Sequence, residues 1–191
     1  MKKQILLIGI ITLLTLVGDQ LSKWWARDRL CVERCTEKLT SIAWSYPCCR
    51  RSPPIVLIEN YLQLEYHENP GSAFGLLRNV PGARYILIGV GIAALILVWS
   101  MVRKVERAKT VAHVAFALVA GGAIGNLLDR IYLGRVVDFT LMHWQHKYVW
   151  PAYNVADVAL VIGVGLLVLV LGRKPESAAA GRGKRKAKPS R

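Results

Sequence analysis

The chain has 191 residues, enough for one domain, and its 26 Lys and Arg against 12 Asp and Glu give a formal net charge of +14. It is nevertheless 53% hydrophobic. Both hold only if charge and apolar side chains are segregated along the chain, which excludes an evenly mixed soluble sequence and points to a membrane protein.

The first apolar run, Ile5 to Trp25, follows Lys2 and Lys3. No small-residue cleavage site comes after it, and it ends in "GDQLSKWWARD", so a retained anchor is expected rather than a cleaved leader. Asp19 and Lys23 within it stand at i,i+4, a helical pairing distance. A long connection follows, with Cys31, Cys35, Cys48 and Cys49 in its first half. In an oxidising compartment at least one disulfide is expected there; four cysteines allow three complete pairings, and the spacing suits zinc poorly. Residues 62 to 67 then alternate, with Leu62, Leu64 and Tyr66 set against Gln63, Glu65 and His67. That period predicts a strand, ended by a turn at Asn69–Gly71.

Tyr85 to Val102 and Thr110 to Leu128 are the second and third apolar runs, joined by a basic loop with Arg103, Lys104, Arg107 and Lys109. The third run leads into Asn126, Asp129 and Arg130 at i,i+3 and i,i+4. The next segment, "RVVDFTLMHWQHKYVWP", is β-branched and aromatic around Asp138, which predicts a second short strand. Its His143 and His146 lack the HExxH pattern of a metalloprotease, and no metal site is expected. Trp24, Trp25, Trp144 and Trp150 fall near run ends, where aromatic side chains anchor to the membrane interface. The fourth run, Ala152 to Leu171, contains Asn154 and Asp157. A charged carboxylate inside a bilayer costs roughly 2.5–3.5 kcal/mol even on insertion scales, so Asp157 is a functional residue by default.

Four runs of about 18 residues or more predict four transmembrane helices. The N-terminus, the loop at 103–109 and the basic tail at 173–191 then share one side, which their Lys and Arg mark as cytoplasmic. The basic tail lacks aromatics for base stacking, so no nucleic-acid partner is expected, and the tail reads as disordered. Asp19, roughly 21 Å along the first helix from Ile5, Asp129 and Asp157 then lie at one level near the outer face. A small outer sheet would carry Asp138 to Asp157.

Two facing aspartates at a water boundary form a hydrolytic device, because like charges about 3 Å apart cannot both ionise and so share one proton. One carboxylate takes a proton from water while the other, protonated, serves the scissile carbonyl. A serine mechanism lacks a GxSxG elbow. A proton-coupled transporter, the alternative reading, would also bury carboxylates, but it predicts internal repeats and broken spans that are not visible.

Five motifs in order, "DQLSK" (19–23), "NPGSAF" (69–74), "GNLLDR" (125–130), "VVDF" (136–139) and "YNVAD" (153–157), resemble those of the lipoprotein signal peptidase (signal peptidase II) family. The resemblance implies an all-α membrane protein of four transmembrane helices with a small extracytoplasmic β-cradle, in the bacterial cytoplasmic membrane. It implies a cofactor-free aspartic protease with Asp138 and Asp157 as the catalytic pair. Asn69, Asn126, Arg130 and Asn154 would contact substrate or order the site, and Asp19, Lys23 and Asp129 would support it. The implied substrate is a diacylglyceryl-modified prolipoprotein, cut before its lipidated cysteine by a monomer surrounded by membrane lipid. Residues 1–172 would form the protease domain, and 31–54 stand out as an insertion in its first outer loop, with only a modest dependence of catalysis expected on its disulfide.

This topology is open to labelling in intact cells. A cysteine reporter at Ser177→Cys should be shielded from membrane-impermeant reagents and one at Ser52→Cys should react; the opposite pattern would reverse the orientation.

Overall fold

A computed structural model of the chain describes residues 2–35, 47–71, 77, 80–105 and 109–172. The tail at 173–191, Arg107, and Ser72 to Phe74 of the second motif lie outside the described residues. Among the described residues, four helices form where the apolar runs predict them: α1 (Lys2–Arg29), α2 (Ala83–Val102), α3 (Thr110–Tyr132) and α4 (Val155–Leu171). The first three are long and apolar enough to cross a membrane. The fourth starts three residues later than its apolar run and has 17 residues. Tyr153, assigned to that run, instead makes a β-bridge with Thr140. This moves Asp157 from the interior of a helix to its first turn.

Helix α3 is central: Ala115, Phe116, Ala117, Asn126 and Asp129 along it are buried, whereas α2 exposes Ile86, Val90, Ile96 and Trp99. Apolar surface turned outward on this scale suits lipid rather than water. Small residues let α3 approach both α1 and α4, as expected where helices associate by packing alone. A Cβ on Gly122 would lie 2.5 Å from the Ala156 carbonyl oxygen and 2.9 Å from Leu160 Cγ, and one on Gly125 would collide with the Asp19 carboxylate. Thr12 closes the α1–α3 contact by donating to the Ala117 carbonyl at 3.2 Å.

Among the described residues, six strands make two antiparallel sheets: β1 (Cys31–Arg34) with β2 (Cys48–Arg51), and β3 (Ile55–Ile58), β4 (Leu62–Asn69), β5 (Val136–Trp144) and β6 (Tyr148–Val149) in that order. The first pair is crossed by disulfides Cys31–Cys48 and Cys35–Cys49, which select one of the three possible pairings. In the larger sheet, Leu64 faces Thr140 but His67 faces Asp138, so β4 carries one residue more than β5 across that interval. This bulge breaks the predicted alternation. Without it Tyr66 would oppose Asp138 and Asn69 would point to the other face. With it, Tyr66 turns into a buried cluster with Ala26, Leu30, Val137 and Phe139, while Asn69 joins Asp138. Trp25 packs edge-on against Phe139, centroids 6.5 Å apart, so it is a core residue rather than an anchor. Trp24, Trp144 and Trp150 are exposed.

The tight seat of α4 on α3 generates a stability test. Gly122→Ala must displace the Ala156 carbonyl and should cost about 1–3 kcal/mol, the usual scale of overpacking. Gly165→Ala, with nothing within 4 Å of the added carbon, should not destabilise. Thermal unfolding in detergent measures both, and equal midpoints would refute the packing argument.

Candidate active site

The first N–H groups of a helix have no partner within it, and burial makes that costly. The α4 start is satisfied by three side chains. Asn154, extended at φ −131° and almost fully buried, accepts from the Asp157 N–H at 3.0 Å, while Asp157 Oδ2 accepts from the Asn154 N–H at 3.2 Å. That reciprocal pair is a capping box. The third acceptor comes from another helix: Asp19 Oδ1 takes the Ala156 N–H at 2.9 Å. Carboxylates also suit the positive end of the helix dipole. Asp157 is therefore held by the helix it begins.

Asn154 also reaches the second aspartate. Its side-chain amide donates to Asp138 Oδ1 at 2.7 Å, its shortest bond, and is within 3.2 Å of the Val137 carbonyl. Asn69 donates to Asp138 Oδ2 at 3.3 Å from β4. Asp138 is 3% exposed. Burial, followed by the charge of Asp157, pushes its carboxyl up to about 7, against the opposing pull of the Asn69 and Asn154 amides and of Lys23. Asn126 joins the two halves: its amide donates to Asp157 Oδ1 at 2.8 Å, and its oxygen accepts from Asn154 at 3.2 Å and from Lys23 at 2.9 Å.

Lys23 is the buried cation beneath this array. Its ammonium lies 2.9 Å from Asp19 and 3.1 Å from Asp129, with all three side chains at most 4% exposed. Asp129 Oδ2 in turn accepts from the Val137 N–H at 3.1 Å, fixing the residue before Asp138. Arg130 donates to the Asn126 carbonyl and to the Gly71 carbonyl, each at 3.2 Å, which ties α3 to the turn after β4.

Asp19, Lys23, Asn69, Asn126, Asp129, Arg130, Asp138, Asn154 and Asp157 thus lie in one connected network, although several contacts differ from the spacing argument. Asn126 was expected to face Asp129 and Arg130 along its own helix; its side chain instead crosses to Lys23, Asn154 and Asp157. Asp19, expected only as a partner of Lys23, also caps α4. Sequence reasoning missed Gln20, whose amide contacts Asp19, the Gly125 carbonyl and Asp129, although it lies inside the "DQLSK" motif. It also missed Arg84, which donates to the Arg130 and Ile131 carbonyls at 2.7 and 2.6 Å and so caps the C-terminal end of α3. An arginine at the start of an apolar run was the available signal. His143 and His146 stack on each other with centroids 3.9 Å apart, and the His146 N–H donates to His143 Nδ1. A cavity of about 190 Å³ lies between α1 and α3, lined by Gln20, Lys23, Arg27 and Tyr132 among others; it borders neither Asp138 nor Asp157.

A sequence model of the family described as Signal peptidase (SPase) II matches residues 11–172. A lipoprotein signal peptidase of Symbiobacterium thermophilum is 35% identical over 85% of this chain and 91% of its own length. One of Pseudomonas aeruginosa (strain UCBPP-PA14) is 34% identical over 91% of this chain and 92% of its own. Two solved structures of bacterial membrane enzymes share the fold. One has a TM-score of 0.66, 24% identity and coverage of 95% and 94% of the two chains; the other has 0.65, 26%, and 86% and 91%.

The buried cation supplies the prediction here. Lys23→Met keeps the bulk but leaves Asp19 and Asp129 without their shared partner, which should cost about 3–5 kcal/mol. Thermal or denaturant unfolding in detergent should show the loss; an unchanged midpoint would mean that Lys23 does not hold the network together.

Proposed function

Since the chain belongs to the signal peptidase II family, we propose that it is a membrane-embedded aspartic endopeptidase that cuts diacylglyceryl-modified prolipoproteins just before the lipidated cysteine. The observation that carries the aspartic reading is Asn154, which holds Asp138 by its side chain and Asp157 by its backbone. Two carboxyl groups on opposite sides of one residue can serve one reacting carbonyl together. In this reading the pair carries a single proton. The ionised carboxylate removes a proton from water as its oxygen bonds to the carbonyl carbon, and the protonated carboxyl gives its proton to the carbonyl oxygen. Collapse of the tetrahedral species breaks the C–N bond, returns the carbonyl, and sends a proton from the pair to the departing amine.

The proposed placement is a bacterial cytoplasmic membrane crossed four times, α4 included, with both termini inside and the β3–β6 sheet as a cradle on the outer face. The direction of α4 supports it, because its N-cap residue Asn154, rather than its apolar body, meets β5 at the site. A substrate anchored by acyl chains would lie in the same outer leaflet and present its peptide at that level. The four-span protease unit, residues 1–172, and the tail beyond it remain part of this proposal.

Purified, inserted enzyme should convert a diacylated precursor and leave a non-acylated one uncut. Asp138→Asn and Asp157→Asn are nearly isosteric, and each should lower turnover by at least roughly 10²-fold, the scale of one lost acid–base partner. The pH profile has a defined sign. A raised Asp138 pKa keeps the shared proton on the pair up to about 7; above that both groups are charged and no acid remains, so activity falls as pH rises through about 7. Cleavage by either variant at wild-type rate would eliminate the dyad.

A further inference from the structure

We propose that Glu68 is a positioning residue, through which the disulfide-bonded hairpin β1–β2 orders Asn69 against Asp138. The proposal rests on the aspartic reading above and adds to it a role for the insertion.

Glu68 precedes Asn69 on β4, so the two side chains leave opposite faces of the strand. On the core side, Glu68 is held at three points. Its Oε1 accepts from the Cys48 N–H at 3.0 Å and from the Tyr66 hydroxyl at 3.1 Å, and its Oε2 pairs with Arg135 at 2.6 Å. Arg135 is itself 5% exposed. Cys48 belongs to β2, and its disulfide with Cys31 packs against the cluster of Ala26, Leu30, Tyr66, Val137 and Phe139. The Ser52 N–H also donates to the Leu30 carbonyl, which ties the hairpin's far end to the end of α1. The hairpin is therefore a cross-linked brace whose one strand grips the carboxylate beside Asn69.

On the other face, Asn69 makes two contacts that matter for the site. It donates to Asp138 at 3.3 Å, and its Oδ1 accepts from the Gly71 N–H at 3.0 Å. Gly71 then accepts from Arg130. The Asn69–Asp138 bond is the longer of the two on that carboxylate, so a few tenths of an ångström would break it. The groups facing Asp138 are Asn69 and His67 from β4, Asn154 and Asp157 from α4, Lys23 from α1 and Arg130 from α3. Of these, Asn69 and His67 are the ones that move with β4.

A brace acting through Asn69 leaves a signature that lost stability does not. The Asn69 N–H favours the ionised form of Asp138, so loosening it raises the proton affinity of Asp138 and moves the alkaline limb of the activity profile to higher pH. Purified enzyme reduced with a phosphine, and separately Glu68→Ala, should each lose roughly tenfold in kcat, the cost of a small misplacement, with the limb displaced upward. Glu68→Gln keeps an acceptor for Cys48 and Tyr66 but loses the charge paired with Arg135, so its limb should be displaced less than that of Glu68→Ala. Asn69→Ala should move the limb by itself, and adding Glu68→Ala to it should move it no further. An unmoved limb after reduction or in Glu68→Ala, whether or not activity falls, overturns the proposal. Asp138→Asn assayed alongside separates the two readings. Activity surviving in it removes the dyad, whereas inactivity there with an unaltered Glu68→Ala removes only the role of Glu68.

Discussion

A helix that begins inside a protein must find acceptors for its first N–H groups, and the start of α4 meets that demand with the same atoms that hold the two aspartates. Asp157 is capped by and caps Asn154, and Asp19 arrives from α1 to take the Ala156 N–H. Because Asp19 is spent on α4, it needs Lys23 to balance its charge, and Lys23 then draws in Asp129 and Asn126. The polar array at the ends of three helices is thus one connected solution to a backbone problem. It also answers why a carboxylate stands in an apolar run: Asp157 lies at the positive end of a helix, where its charge is welcome.

The helices were legible because their signal is long and local. Runs of apolar residues predicted α1, α2 and α3 to within a few residues of each end. The α4 start was misplaced because Ala152 and Tyr153 are apolar enough to belong to a span, and only the β-bridge to Thr140 withdraws them. The candidate site residues were legible as charges in costly places, which flagged Asp19, Asp129 and Asp157; the strand pattern around Asp138 carried it to Asp157, and the ordered motifs added Asn69 as a site-ordering residue. Their partners were harder. Spacing along one helix finds i,i+4 neighbours such as Asp19 and Lys23, but the bonds of Asn126 run between helices, and no periodicity reports those.

The bulge in β4 is the clearest case of information absent from the alternating pattern. Leu62, Leu64 and Tyr66 read as one unbroken alternation, yet the register shifts between Leu64 and His67 and Tyr66 packs with Val137 and Phe139. The extra residue lets one strand serve the core with Tyr66 and Glu68 and the site with His67 and Asn69. Bulges gather beside active sites for this reason: they re-aim a side chain without lengthening the sheet. The cysteine pairing was equally hidden, since four thiols close together in sequence satisfy several connectivities until the strands fix which meet.

The length of α4 has a consequence for the surrounding lipid. Its 17 residues rise only about 26 Å, less than the roughly 30 Å of hydrocarbon in an average bilayer. A short apolar stretch is accommodated by local thinning of the membrane. On the proposed topology, with α4 as a span, thinning where the chain turns from sheet to helix would bring water down towards Asp138 and Asp157. Hydrolysis at the proposed site would then need no channel bored through the protein, because a thinned bilayer would bring solvent down to the bond.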